Sequence, residues 1–422
     1  MQPAFERWTQ GRSLPTLGTN AGAQPLPFQA WRNFKEAFAP ELVARAVQEC
    51  GRPVTRCIDP FGGSGTTALA CQFLGVEPVT IEVNPYLADL IEAKLSSYEG
   101  GPLVRDFGRL LRQAEVPARH DLSHLPRTFV APGHNGRWIF SEAVAQRIES
   151  LRVAIEGLKH EVHRKFFKAL LGGVLVDISN VVVSGKGRRY RQNWLARQAN
   201  VETLTAMFRS RVERALLEVA AHAARPESAF TMRRGDCRPL IETLPRADLA
   251  VFSPPYPNSF DYTDVYNVEL WMLGYLQTSS SNRTLRQSTL TSHVQIMREY
   301  APRPAGSGAL DEVCIKLHSQ ADTLWSRWIP AMVDGYFADM AAVLKALHGR
   351  LYVRGEVWAV VGDSLYSNVH IPVAGILAEL APSLGYDVIH SEAFRSMRSS
   401  AQQGWRPELD ETLLVLRKSA RR

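Results

Sequence analysis

Ser253-Pro254-Pro255-Tyr256 follows directly on the apolar run Leu249-Ala250-Val251-Phe252, which reads as a buried strand. Two consecutive prolines end that strand and stiffen the turn after it. So rigid a turn aims carbonyl oxygens and holds the Tyr256 ring beside them. Those are the means to grip a flat base by its exocyclic amino group. The four residues also fit a plain strand end with Tyr256 as a packing residue, so a second motif has to decide.

That motif is Cys57-Ile58-Asp59-Pro60-Phe61-Gly62-Gly63-Ser64-Gly65-Thr66-Thr67, three glycines between a short apolar strand and the helical run Ala68-Leu69-Ala70. Such a loop lets backbone approach a ligand, and it offers amides at a helix N-terminus to a carboxylate or phosphate. A nucleoside triphosphate is disfavoured, because no Lys precedes the Ser/Thr as the Walker pattern requires. Gly63-x-Gly65-x-x-Ala68 fits the loose dinucleotide fingerprint. S-adenosylmethionine, with its carboxylate on the loop amides, is the third ligand these residues admit. Glu82 ends the next strand, Pro78-Val79-Thr80-Ile81-Glu82, and suits the ribose hydroxyls of either cofactor. Asp236 follows a third strand, Phe230-Thr231-Met232, where it can accept from an adenine amino group. The stretch from Asp236 to Ser253 holds one helix and one strand, the step of a parallel sheet.

Together these residues resemble the amino-methyltransferases that modify DNA. Asp59 to Thr67 looks like their motif I, Glu82 their motif II, Gly235-Asp236 their motif III and Ser253-Pro254-Pro255-Tyr256 their motif IV. The segments Trp31 to Lys35 and Phe38 to Val43 are similar to their motif X, and Glu411 to Lys418 to their last strand. The resemblance implies a Rossmann-like α/β fold of the S-adenosylmethionine-dependent kind, carrying an inserted, mainly helical domain. It implies cofactor contacts at Asp59, Phe61, Gly62, Gly63, Gly65, Thr66, Thr67, Glu82 and Asp236. It also implies that the Pro254 carbonyl accepts from the target amine, Ser253 holds a second edge of the base, Pro255 stiffens the turn and Tyr256 stacks.

In this family Ser at the first motif IV position goes with cytosine N4, and Asp with adenine N6. The resemblance therefore implies methylation of cytosine N4 in double-stranded DNA, with the target base flipped out of the helix. The setting it implies is a restriction-modification or host-protection system, with a cognate endonuclease as partner, in the bacterial cytoplasm at the nucleoid. Enzymes with this Ser motif commonly place it before motif I, whereas here motif I comes first. Other readings are an adenine-N6 or RNA methyltransferase, a methyltransferase-like subunit that only binds DNA, and a dehydrogenase. RNA enzymes of this type more often have Asn or Asp at position 253 and Gly at 257, where this chain has Ser253 and Pro257. A dehydrogenase leaves the Pro-Pro-Tyr turn unexplained.

The rest of the 422-residue chain must position these motifs. Residues 1–27 are polar and rich in Gly, Pro and Thr, and read as an N-terminal arm. Residues 28–100 hold the cofactor-binding part and 226–422 the catalytic part. Between them, 101–225 show helical spacing, as in Phe140, Val144, Ile148, Leu151, Ile155 and Leu158. A methyltransferase sheet needs only a helix there, so the stretch is an insertion. It contains Ser184 to Trp194, where Lys186, Arg188, Arg189 and Arg191 cluster with Tyr190 and Trp194. We expect Lys186, Arg188, Arg189, Arg191 and Trp194 to contact DNA phosphates and base edges.

Thr278 to Arg286 with Arg303 to Gly308, and Arg395 to Ser400 with Trp405 and Arg406, are further loops expected beside DNA. A net charge of +7 suits a polyanionic partner. The apolar fraction of 45% argues against wholesale disorder. No apolar run is long enough for a membrane span. The five scattered cysteines read as reduced thiols, with no metal site expected.

Overall fold

The computed structural model describes the chain except residues 1–2, 21, 24, 33–36, 185–186, 227–228, 398–408 and 421–422. Its strands are β1 (Arg56–Asp59), β2 (Glu77–Glu82), β3 (Val181–Ser184), β4 (Gly187–Tyr190), β5 (Thr231–Arg234), β6 (Ala247–Phe252), β7 (Leu351–Gly362), β8 (Ser364–Tyr366), β9 (Val369–Ile371), β10 (Tyr386–Met397) and β11 (Leu409–Lys418). Seven of them form one sheet in the order β10-β11-β7-β6-β1-β2-β5. The pairs β5-β2, β2-β1, β1-β6 and β6-β7 are parallel; β7-β11 and β11-β10 are antiparallel. This is the expected Rossmann-like α/β architecture. The chain builds outward from β1 through β2 to β5, then crosses back to β6. The gap between β1 and β6 is therefore the switch point, where open α/β sheets bind ligands at the carboxyl ends of their strands.

Strand side chains alternate between two apolar layers, as period-2 geometry requires. Leu249, Val251, Trp358, Val360, Leu413 and Val415 enter one layer. Ala250, Phe252, Val357, Ala359, Val361, Leu414 and Leu416 enter the other. β6 is buried at every residue, which explains its uninterrupted apolar run. The second layer is covered by the helices Gly308–Ser319, Ile329–Arg350 and Val373–Leu380.

The insertion consists of the helices Gly100–Glu115, Glu142–Glu156, Glu161–Ile178 and Val201–Ala221, with the β3-β4 hairpin. It shares the first apolar layer with the helices Pro40–Glu49, Thr66–Leu74 and Pro85–Leu95. Close approach is built in at Gly172, where a Cβ would sit 2.3 Å from the Tyr86 ring. At Gly173 a Cβ would sit 2.0 Å from the Trp31 carbonyl oxygen.

Several expectations give way to packing. The N-terminal arm is instead docked: Phe5 and Trp8, one helical turn apart in Pro3–Thr9, are buried, and Trp8 stacks on Phe73 at 4.6 Å. Thr278 starts no loop but caps the helix Ser279–Gln287, accepting from the Ser281 amide and so closing a capping box. The β8-β9 turn uses Ser367 and Asn368 at φ 44° and 67°.

Candidate active site

A cavity of about 420 Å³ opens at the switch point. Both sequence motifs line it: Asp59, Phe61, Gly62, Gly63, Thr66 and Thr67 from the first, and Ser253, Pro254, Pro255 and Tyr256 from the second. Glu82 lines it as well. Gly65 lies behind the wall, with a Cβ position 2.9 Å from Ile91. Its φ of +83° at the start of the helix Thr66–Leu74 explains the glycine. A hydrogen bond ties the first motif to the strand that carries the second: Thr67 Oγ1 donates to the Val251 carbonyl of β6 at 3.2 Å.

The glycine-rich loop is held from three sides. Glu82 accepts from the Gly63 amide at 2.6 Å and the Asn84 amide at 2.7 Å. Asp59 accepts from the Phe61 amide at 2.9 Å. Lys94, buried beneath the loop, donates from Nζ to the Ser64 carbonyl at 2.7 Å. Burial pushes the carboxyls of Asp59 and Glu82 up to about 7, against the pull of these amides. Burial likewise draws the Lys94 amine down to about 7.

The charge of the cavity discriminates between ligands. Asp59, Glu82 and Glu411 line it, whereas its described lining contains no Lys or Arg. A pyrophosphate would meet carboxylates there with no lining cation to balance it. S-adenosylmethionine carries a sulfonium and an ammonium, and suits that lining. Each Glu82 oxygen already accepts one amide, and a carboxylate oxygen has a second lone pair for a ribose hydroxyl. The residues that line the cavity fit S-adenosylmethionine.

Asp236 sits differently from its neighbours. Gly235 and Cys237 line the cavity, but the Asp236 carboxylate caps the helix Cys237–Leu240 and ion-pairs with Arg238 at 2.6 Å. Arg238 also pairs with Asp339 at 2.9 Å. Asp236 thus fixes the turn at this strand end.

The catalytic turn is propped from behind. Tyr366 on β8 donates to the Pro257 carbonyl at 3.0 Å, and the Ser259 amide to the Ser292 carbonyl at 2.9 Å. Asp261 is a cap, accepting from the Thr263 amide and hydroxyl, and it ion-pairs with Arg286. His293 lies 3.8 Å from Asp261. Burial, only partly offset by Asp261, pulls His293 down to about 4, with Arg298 and Arg286 acting in the same direction. Thr289, Leu290, Ser292 and His293 thus form a fixed, uncharged cavity wall.

Sequence reasoning missed that wall, and it also missed Lys94 and the cavity role of Glu411. On the other side, Gly18 and Phe38 close the cavity. Asn33 to Glu36 of the motif X segment lie outside the described residues.

The basic cluster of the insertion separates into distinct roles. Lys186 lies outside the described residues, as do Arg398 to Glu408. Arg188 is half-buried, 3.8 Å from Asp264 and over the Phe129 ring at 5.8 Å. Arg191 donates to the carbonyls of Val176, Asp177 and Ser179 at the end of the helix Glu161–Ile178, where a cation is favoured. Its guanidinium clamps that helix end and also borders the same cleft as Arg189. Arg189 is exposed and, with Arg197 and Tyr190, borders a cleft of about 530 Å³. Trp194 packs edge-on to Trp138 at 4.9 Å.

Among the described residues no group of His, Cys, Asp or Glu is arranged to hold a metal ion. No described helix is long and apolar enough to cross a membrane.

Comparison with known proteins gives the same direction. No protein-family model matches the chain. It is 24% identical over 394 residues to the Type II methyltransferase M.AvaI of Nostoc sp., covering 86% of this chain and 80% of that one. It is 24% identical over 427 residues to the Type II methyltransferase M.BsoBI of Geobacillus stearothermophilus, covering 88% and 81%. Among solved structures, TrmN from Thermus thermophilus overlays with a TM-score of 0.29 at 10% identity, covering 93% of this chain and 52% of that one. The rRNA methyltransferase aviRa from Streptomyces viridochromogenes gives 0.28 at 12%, covering 91% and 86%. Over most of its length, then, the chain is similar to Type II methyltransferases.

Proposed function

We propose that this protein is a site-specific DNA methyltransferase that uses S-adenosylmethionine and transfers the methyl group to cytosine N4. One observation carries the reading: the glycine-rich loop and the Ser253-Pro254-Pro255-Tyr256 turn line one acidic cavity at the sheet's switch point. The similarity to Type II methyltransferases supports it over most of the chain.

The bound cofactor supplies an electrophilic methyl group. The chain's own residues do the rest. Asp59 and Glu82 hold the cofactor end of the cavity. The Pro254 carbonyl accepts from the target amine and draws its lone pair out of the ring. Tyr256 supports the base. The fixed wall of Thr289 to His293 excludes water from that side. Catalysis is positioning and electrostatics, and needs no covalent protein intermediate. The base must leave the duplex to enter the cavity, and the exposed face around Arg189 meets the phosphates. A cognate endonuclease in a restriction-modification system is the partner we assign to it.

Adenine N6 is the second reading, since the same cavity accepts any exocyclic amine; Ser253 favours cytosine. The test is transfer of labelled methyl from S-adenosylmethionine to duplex DNA by purified protein. Label in DNA supports the reading. Calorimetric binding of NAD with none of S-adenosylmethionine would contradict it.

A further inference from the structure

A buried carboxylate at the start of the last strand stands behind the catalytic turn. Glu411 on β11 is 5% exposed, and its backbone pairs with Gly362 at the end of β7. Tyr256 Oη donates to Glu411 Oε1 at 3.0 Å. Tyr256 Oη also lies 3.2 Å from Ser253 Oγ. Ser253, Tyr256 and Glu411 all line the cavity.

The polarity of this chain of oxygens follows from proton counting. A carboxylate only accepts, and a phenol has one proton. That proton goes to Glu411, so Ser253 must donate to Tyr256. Ser253 Oγ is left with its lone pairs as the acceptor at the cavity end. Tyr256 stays neutral, because burial and then the Glu411 charge raise its pKa well above the ordinary phenol value. A neutral phenol passes a proton on by giving one and taking one.

We infer that Ser253, Tyr256 and Glu411 form a proton relay that drains the target amine during methyl transfer, with Glu411 as the terminal acceptor. The inference rests on the proposed function above. As the amine nitrogen bonds to the methyl carbon, the carbon–sulfur bond breaks and its electron pair stays on sulfur. Positive charge passes from sulfur to the amine. The amine then loses one N–H proton to Ser253 Oγ. The Ser253 hydroxyl proton moves to Tyr256 Oη and the Tyr256 proton to Glu411, which ends as a neutral carboxylic acid. The methylated amine is neutral, and Glu411 returns its proton to solvent between turnovers.

The arrangement also sets specificity. An acceptor at Ser253 Oγ rewards a base edge carrying N–H donors and disfavours a carbonyl oxygen at the same point. It separates cytosine from thymine by the atom at ring position 4. Glu411 does not touch the base; it acts through Tyr256 and is in that sense a positioning residue.

The experiment is single-turnover methylation of duplex DNA by the full chain, followed from acidic to alkaline pH for wild type, Glu411→Gln, Tyr256→Phe and the double variant. Glutamine keeps an acceptor for the Tyr256 hydroxyl but takes no proton, and phenylalanine keeps the ring but cuts the relay. We expect Glu411→Gln to run about a hundredfold slower than wild type at neutral pH, within the range for general acid–base steps. Because the residues act in series, the double variant should be no slower than the slower single variant.

A Glu411→Gln rate within twofold of wild type, or losses that multiply in the double variant, would overturn the relay. Methylation by wild type in the same assay keeps the functional reading intact in that event. Absence of methylation by wild type overturns the functional reading itself.

Discussion

Glu82 accepts the amide protons of Gly63 and Asn84, at 2.6 Å and 2.7 Å. One carboxylate thus ties the glycine-rich loop and the start of the helix Pro85–Leu95 to the end of β2. The same carboxylate faces the cavity. Glu82→Gln removes the charge and turns an amide NH₂ toward one of those donors. Loss of a charged hydrogen bond costs on the order of 1.5–3 kcal/mol, so S-adenosylmethionine should bind at least about tenfold more weakly. Calorimetry measures this, and unchanged affinity would remove Glu82 from the site.

The raised carboxyls of Asp59 and Glu82 give the protein a pH signature. Both lie up near about 7 because of burial, whereas an unfolded carboxyl titrates near about 4. In the ligand-free protein their stabilising effect is full below the unfolded value and is lost as pH rises through about 7. Cation binding needs the charged forms, so its dependence has the opposite sign. Affinity for S-adenosylmethionine should rise between about pH 6 and pH 8, and added S-adenosylmethionine should raise Tm more at the alkaline end. Calorimetry and thermal melts across that range check both halves.

Arg189 and Arg191 should respond differently to truncation. Arg189→Ala should weaken binding to all duplex sequences alike and reduce the salt slope by about one, leaving Tm unchanged. Arg191→Ala strips donors from three carbonyls at a helix end. It should lower stability by about 1–3 kcal/mol. DNA titrations at several salt concentrations, with melts of both variants, separate a phosphate contact from a clamp.

Gly172 should tolerate no side chain. A Cβ there would lie 2.3 Å from the Tyr86 ring, whose hydroxyl donates to the Ala169 carbonyl of the same helix as Gly172. Gly172→Ala should lower stability by about 1–3 kcal/mol, the usual cost of overpacking. It should also weaken S-adenosylmethionine binding, since Tyr86 belongs to the helix that Glu82 and Asn84 anchor. A melt and a binding isotherm give both answers.

The strands β1, β2 and β6 were legible because they are short apolar runs ending at residues with a chemical reason to be there. Asp59, Glu82 and Phe252 end strands in the structure as their patterns indicate. The two motifs were legible for the same reason, since each is contiguous. Glu411 was not, because an antiparallel strand 155 residues away delivers it to Tyr256, and no local pattern encodes that pairing. The wall from Thr289 to His293 carries no local pattern that marks it as part of the site. Its rigidity comes from Asp261, Arg286 and Arg298, which meet only in the fold. Arg191 looked like its basic neighbours until the end of the helix Glu161–Ile178 appeared beneath it. Phe5 and Trp8 carried an i, i+3 signal that the surrounding Gly and Pro content obscured.

The central claim is methyl transfer to an exocyclic amine of DNA, with cytosine N4 as the target. Nucleoside mass spectrometry on plasmid DNA, from an expressing host that lacks N4-methylcytosine of its own, tests it most directly. N4-methylcytosine in that DNA, absent when Tyr256→Ala is expressed instead, is the predicted result. N6-methyladenine alone would contradict the assignment from Ser253, and neither modified base would contradict the account of the site as a whole.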